Sequence, residues 1–91
     1  MTTTEDNIFN VLHWFDMNGV QVEDDYNDEK KHFCGIDDIL IITINGYNLK
    51  FTQYYNHYRK TYSDFKLIYS NGIISGYENV IKELSSKILT S

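Results

Sequence analysis

The dipeptide Asn45-Gly46 sits at the centre of the most constraining stretch of this chain. Asn-Gly is the preferred pair for a two-residue type I′ turn, whose twist matches that of the strands it joins. Pairing outward from it sets Ile44 opposite Tyr47, Ile42 opposite Leu49 and Leu40 opposite Phe51, all on one face. The other face receives Thr43 with Asn48, Ile41 with Lys50, and Ile39 with Thr52. A slip of one residue moves every apolar side chain to the wrong face, so the register is strongly specified. Ile39 and Ile41 leave the second face only partly polar, which predicts that it is partly covered.

Around this hairpin the pattern changes period. Ile8, Val11, Leu12 and Phe15 recur as one helical face and predict a helix over residues 4–17. Thr3 with Asp6 suits its N-terminal cap, and Asn18-Gly19 supplies a left-handed stop. A short strand is expected at 20–22, then a solvated loop or hairpin tip over 23–29, then a returning strand over 30–36 with Gly35 as a bulge or close-packing position. Between Gln53 and Tyr62 the tyrosines favour extended structure, which Asn56-His57 interrupts. Phe65, Leu67 and Tyr69 alternate as a further strand that Asn71-Gly72 ends. Ser75 with Glu78 reads as a capping box for a second helix over 76–89, with Tyr77, Val80, Ile81, Leu84 and Ile88 as its buried stripe. These elements predict one α+β domain over residues 1–91. Its antiparallel sheet has four or five strands, flanked by an N-terminal and a C-terminal helix.

Length and composition bound the function. Ninety-one residues leave no room for a second domain or a deep interdomain cleft. The longest apolar run, Ile39-Leu40-Ile41-Ile42, is far short of the roughly 20 residues of a membrane span, so no membrane is expected. The Thr- and acid-rich start has no signal-peptide pattern, and the single cysteine fits a reducing compartment; the expectation is cytoplasmic, in a bacterial host cell. The chain lacks Pro and Ala, is rich in Ile, Asn, Tyr and Lys, and has seven Lys to one Arg, a bias of AT-rich genomes.

No catalytic constellation is present, and the chain is expected not to be an enzyme. Cys34 and His32 have nearby cations in Lys30 and Lys31, but no orienting group or oxyanion hole accompanies them. Cys34 is expected to be buried and inert. His32, Cys34, Asp37 and Asp38 lack a metal-ligand spacing, and the glycines form no phosphate-cradling pattern. Neither metal nor cofactor is expected.

Charge is the main functional clue. Residues 1–38 carry a net −8 and residues 39–91 a net +3, for −5 overall. Five of the seven residues 23–29 are acids, and Glu23, Asp24, Asp25, Tyr26, Asp28 and Glu29 form the candidate partner-binding set. The run has two readings: a solvated loop that aids solubility, or carboxylates that engage a basic surface on a larger protein, standing in for phosphates where that surface normally holds nucleic acid. Tyr26 strengthens the binding reading, since tyrosine is favoured at interfaces. In size, acidity and AT-rich composition the chain resembles small phage anti-defence proteins, anti-CRISPR proteins among them. The resemblance covers no motif, and it implies an inhibitor.

A second candidate set is Tyr54, Tyr58, Arg59, Lys60 and Tyr62, where aromatics interleave with bases as in single-strand nucleic-acid binders. The overall charge weighs against direct nucleic-acid binding, whose affinity comes mainly from neutralising phosphates. A third reading is a homodimeric structural module, supported by Ile39 and Ile41 on the second hairpin face.

Overall fold

The computed structural model describes residues 2–89, with the backbone alone described at Thr2 and at 28–30. The elements in chain order are β1 (Thr2–Thr3), α1 (Asn7–Met17), β2 (Glu23–Lys31), β3 (Gly35–Ile44), β4 (Tyr47–Asn56), β5 (Thr61–Tyr69), β6 (Gly72–Ser75) and α2 (Tyr77–Glu83), which runs on into a π-helical turn (Leu84–Ile88). All strands join one antiparallel sheet in the order β1-β5-β4-β3-β2, with β6 also on β5. The short β1 and β6 lie end to end along the edge of β5 that faces away from β4, so the sheet is five positions wide. This is the α+β architecture that the sequence pattern predicts.

The central hairpin has the predicted register throughout and continues outward to Gly35 opposite Asn56. Its turn is left-handed at both residues, with φ of 51° at Asn45 and 81° at Gly46. Leu40, Ile42, Leu49 and Phe51 are fully buried on the face that receives both helices. Ile8, Val11 and Phe15 of α1, and Val80, Leu84 and Ile88 of the C-terminal helix, close the core against them. Asn45 also donates from Nδ2 to the Ile88 carbonyl at 3.0 Å, which ties the turn to the last helical turn. Within that turn the Leu89 amide donates to Leu84 O at 2.9 Å, and the Ser85 and Ser86 hydroxyls donate to the carbonyls of Ile81 and Lys82.

Four local expectations are corrected. Residues 23–31 form a continuous strand, not a loop or hairpin tip. An edge strand needs neither alternation nor burial to persist, because its backbone bonds to β3 hold it, and charged side chains are usual on exposed edges. Residues 20–22 are not a strand; Val20 and Val22 pack half-buried against the core. Helix α1 starts at Asn7, where the Asp6 carboxylate caps it by accepting the Phe9 amide at 3.1 Å, while Thr3 is committed to β1. Finally, Ser75 and Glu78 form no capping box. Ser75 is paired with Lys66 in the sheet, and Gly76, at φ 90°, is the residue before α2, with no side-chain cap.

A bulge decides which β5 side chains meet the core. Lys66 pairs with Thr52 but Ser63 pairs with Tyr54, so two residues of β5 oppose one of β4, and the extra residue Asp64 is left-handed at φ 59°. The alternation shifts by one there. Tyr62 on one side of the bulge, and Phe65, Leu67 and Tyr69 on the other, therefore all face the helices.

Candidate functional site

Three features of the sheet present chemistry to solvent: the outer edge of β2, the face opposite the helices, and the end of the sheet where two turns meet.

Strand β2 pairs with β3 alone among the described residues, which leaves its outer edge open along nine residues. The opposite edge of the sheet is covered by β1 and β6. Glu23, Asp24 and Asp25 are exposed, and Tyr26 is 49% exposed. Strand geometry splits the acidic run between two faces. Glu23 and Asp25 pair with Thr43 and Ile41 and share their face, whereas Asp24 and Tyr26 pair with Ile42 and Leu40 on the helix side. The register shifts between Asp28 and Lys30; the side chains of Asp28 and Glu29 lie outside the described residues. The run is thus an extended acidic rim.

The face turned away from the helices carries Ile39, Ile41, Lys50, Thr52, Tyr54 and Lys66. Ile39, between Asn27 and Thr52, is only 6% exposed although it is outside the main core, and Ile41 is half-buried. At one end of this face His32 Nε2 meets Asp37 Oδ2 at 2.9 Å, and the His32 ring stands edge-on to Tyr54 with centroids 5.4 Å apart. The Tyr54 phenol lies over Gly35, where a Cβ would collide with it and with the Tyr55 carbonyl. Tyr54 fills the space that the missing side chain leaves.

The tyrosine-rich segment 54–62 does not form one surface. Tyr54 belongs to the open face. Tyr62 faces the helices, half-buried, with its hydroxyl 3.5 Å from Asp6 Oδ2. Burial first, then the charges of Asp6 and Asp38, raise its pKa above 10.0. Tyr58, Arg59 and Lys60 stand exposed in the β4–β5 turn.

That turn meets a second one. Lys31, His32 and Phe33 lead through the β2–β3 turn to Cys34, whose carbonyl accepts the His57 amide at 2.8 Å. Phe33 is 90% exposed and Tyr58 71%, and their ring centroids are 6.5 Å apart. The Asn56 side chain braces the second turn, its Oδ1 accepting the amides of Tyr58 and Arg59, each at 3.0 Å. The Asn56 carbonyl accepts the Lys60 amide at 2.8 Å, and Lys60 is left-handed at φ 54°. Sequence reasoning missed Phe33. Extending the hairpin pairing across Lys31 and Ile36 is the signal that finds it, because that pairing puts an aromatic at a turn tip.

Of the residues considered for catalysis and metal binding, His32 and Asp37 meet, but the four do not converge on one point. Cys34 is half-buried in the turn rather than buried in the core. His32 and Cys34 lie in a turn, not an extended segment, and the His32 imidazole is directed to Asp37. Asp37 and Asp38 follow one another on β3 and point to opposite faces; Asp38 is buried. Among the described residues no group of three or more His, Cys, Asp or Glu could hold a metal ion, and no helix is long and apolar enough to cross a membrane. A shallow hollow of ≈ 550 Å³ lies between the starts of the two helices and the β5 bulge, bordered by Glu5, Asp64, Lys66 and Glu78.

Comparison of the chain with protein-family models, with curated proteins and with solved structures finds no match in any of the three.

Proposed function

We propose that this chain is a non-enzymatic binding protein that holds a larger partner through the acidic edge of β2, in the manner of an inhibitor. One observation carries the reading: among the described residues, the sheet's one long open edge is also where exposed acids are concentrated. Along a strand, side chains on the same face repeat every ~6.6 Å. Glu23 and Asp25 therefore present a pair of carboxylates on one face, suited to cations that otherwise bind successive phosphates. The partner is a protein with a basic surface, and a nucleic-acid-handling protein has that surface by necessity. The open backbone edge adds hydrogen-bonding groups beside the charges, as in strand addition.

The test uses a partner isolated by affinity capture from the native host and then purified. Exposed charges act mainly on the rate of encounter and are screened within about 8 Å at physiological salt. Replacing Glu23, Asp24, Asp25, Asp28 and Glu29 by Gln or Asn is expected to slow association and flatten its salt dependence, with circular dichroism unchanged. Association of the neutralised chain at the unmodified rate overturns the reading.

A further inference from the structure

We propose that the two turns at the far end of the sheet form a second binding surface, which holds the unpaired bases of a single-stranded nucleic acid. It uses Phe33, Tyr58, Lys31 and Arg59, none of which belongs to the acidic rim, so it stands independently of the function proposed above.

Phe33 and Tyr58 are the most exposed aromatic rings among the described residues. They lie 25 positions apart in sequence and come from different turns, yet their centroids are 6.5 Å apart and their planes are tilted by 33°. An exposed Phe ring contributes nothing to the core, and two such rings side by side make an aromatic patch. Cations neighbour both rings in sequence: Lys31 lies two residues before Phe33, while Arg59 and Lys60 follow Tyr58, and all three are exposed. Aromatic faces for bases combined with cations for the phosphates between them are the elements of sequence-tolerant single-strand binding.

The scaffold is already set. The His57–Cys34 backbone bond joins the turns, and Asn56 fixes the conformation that presents Tyr58 and Arg59. Little ordering is needed on binding, and ordering costs are what usually weaken a small surface.

Within a chain of net charge −5, the two turns carry the exposed cations Lys31, Arg59 and Lys60. Along β2, Glu23, Asp24 and Asp25 lie six to eight residues from Lys31, about 20–26 Å and more than two screening lengths at physiological salt, whereas Asp28 and Glu29 lie only two to three residues from it, about 7–10 Å. Asp37, 2.9 Å from His32 Nε2, is a further nearby carboxylate. The Glu23–Asp25 part of the rim and the aromatic tip therefore lie apart on a molecule whose longest dimension is 41 Å, with Asp28 and Glu29 between them along β2.

The experiment is a fluorescence anisotropy titration of the full chain against a labelled oligothymidylate of about twelve nucleotides, over a salt series that includes physiological ionic strength. The same oligonucleotide as a duplex and phosphatidylserine–phosphatidylcholine vesicles are run in parallel. The expected result is binding to the single strand in preference to the duplex. Phe33→Leu with Tyr58→Leu keeps an apolar tip but removes both π-faces, and is expected to weaken binding roughly ten-fold or more. Lys31→Gln with Arg59→Gln is expected to reduce the slope of log affinity against log salt by roughly 1.4, the share of two phosphates on a single strand. All four residues are exposed, and unchanged circular dichroism verifies that the variants fold. Absence of binding by the unmodified chain, equal binding of the double-leucine variant, or equal affinity for duplex or vesicles each overturns the proposal.

Discussion

Gln53, buried in the middle of β4, accepts the amide of Asn7 at 3.1 Å on its side-chain carbonyl and so caps a helix 46 residues away in sequence. The same oxygen lies 3.4 Å from the Ile8 amide, and Nε2 donates to the Glu5 carbonyl at 3.5 Å. The first amides of a helix have no partner within it. Asp6 satisfies Phe9, and Gln53 satisfies two more from the sheet. One polar residue on the core face thereby fixes where α1 lands.

Gln53→Leu keeps roughly the same volume and leaves those amides unsatisfied. The expected loss is about 1–3 kcal/mol of stability, read as a lower urea midpoint with an unchanged slope. A midpoint at or above the unmodified value means that the helix docks by apolar packing alone.

The hairpin supplies a second test. Leu49 is fully buried between the sheet and the helices. Leu49→Ala is expected to cost about 2–4 kcal/mol, a large share of a small domain's stability. An unchanged denaturation midpoint contradicts the observed pairing.

Left-handed residues predict opposite signs at two turns. Gly46 has φ 81°, and adding a Cβ there meets no neighbouring atom, so Gly46→Ala isolates the backbone cost, about 1–2 kcal/mol. Lys60 already bears that cost at φ 54°. Lys60→Gly is expected to raise the melting temperature where Gly46→Ala lowers it. A Lys60→Gly variant that melts lower shows that the lysine side chain makes a compensating contact.

Tyr69 donates to Glu83 Oε2 and accepts from Asn71 Nδ2 at 3.2 Å. Burial first, and then the Glu83 hydrogen bond, raise its pKa above 10.0; burial also raises Tyr77, with the charge of Glu5 adding to it. With Tyr62, three phenols hold their protons to higher pH in the folded state than in the unfolded chain. Their contribution to stability is whole below pH about 10, the unfolded value, and is lost as pH rises from there through the folded values. Urea midpoints are expected to be insensitive to these groups at neutral pH and to fall in alkali, less steeply in Tyr69→Phe. An equally steep fall in that variant removes Tyr69 from the account.

The legibility of the sequence follows from where burial lies. The Asn45-Gly46 hairpin was readable because one face of it is buried, and burial writes a period of two into the residues. Residues 23–27 are exposed on both faces of β2, so no period is written, and the backbone bonds that hold the strand leave no mark on side-chain type. Asp64 concealed the orientation of Tyr62, because a bulge reverses the alternation and nothing about an aspartate announces a left-handed φ. Of the candidate surfaces, the acidic run was visible as charge but not as an edge. Tyr58, Arg59 and Lys60 were visible as composition, whereas Phe33 joins them only through the meeting of two turns.

The open edge of β2 yields the last prediction. Long unpaired edges template further pairing, and natural sheets block this with charge, covering elements or bulges. Here β1 and β6 cover the other edge, so charge and the register shift between Asp28 and Lys30 are what β2 has. Asp24→Thr with Asp25→Thr removes two exposed charges, one from each face, and substitutes a residue that favours strands. The folded domain is expected to keep or slightly gain stability, while sedimentation velocity over a concentration series shows more self-association than the unmodified chain. Added Asp at Asn27 is expected to suppress that association again, since it restores charge to the same edge. Equal sedimentation of the double-threonine variant and the unmodified chain at every concentration shows that these carboxylates do not guard the edge, and leaves partner binding as their remaining role on β2.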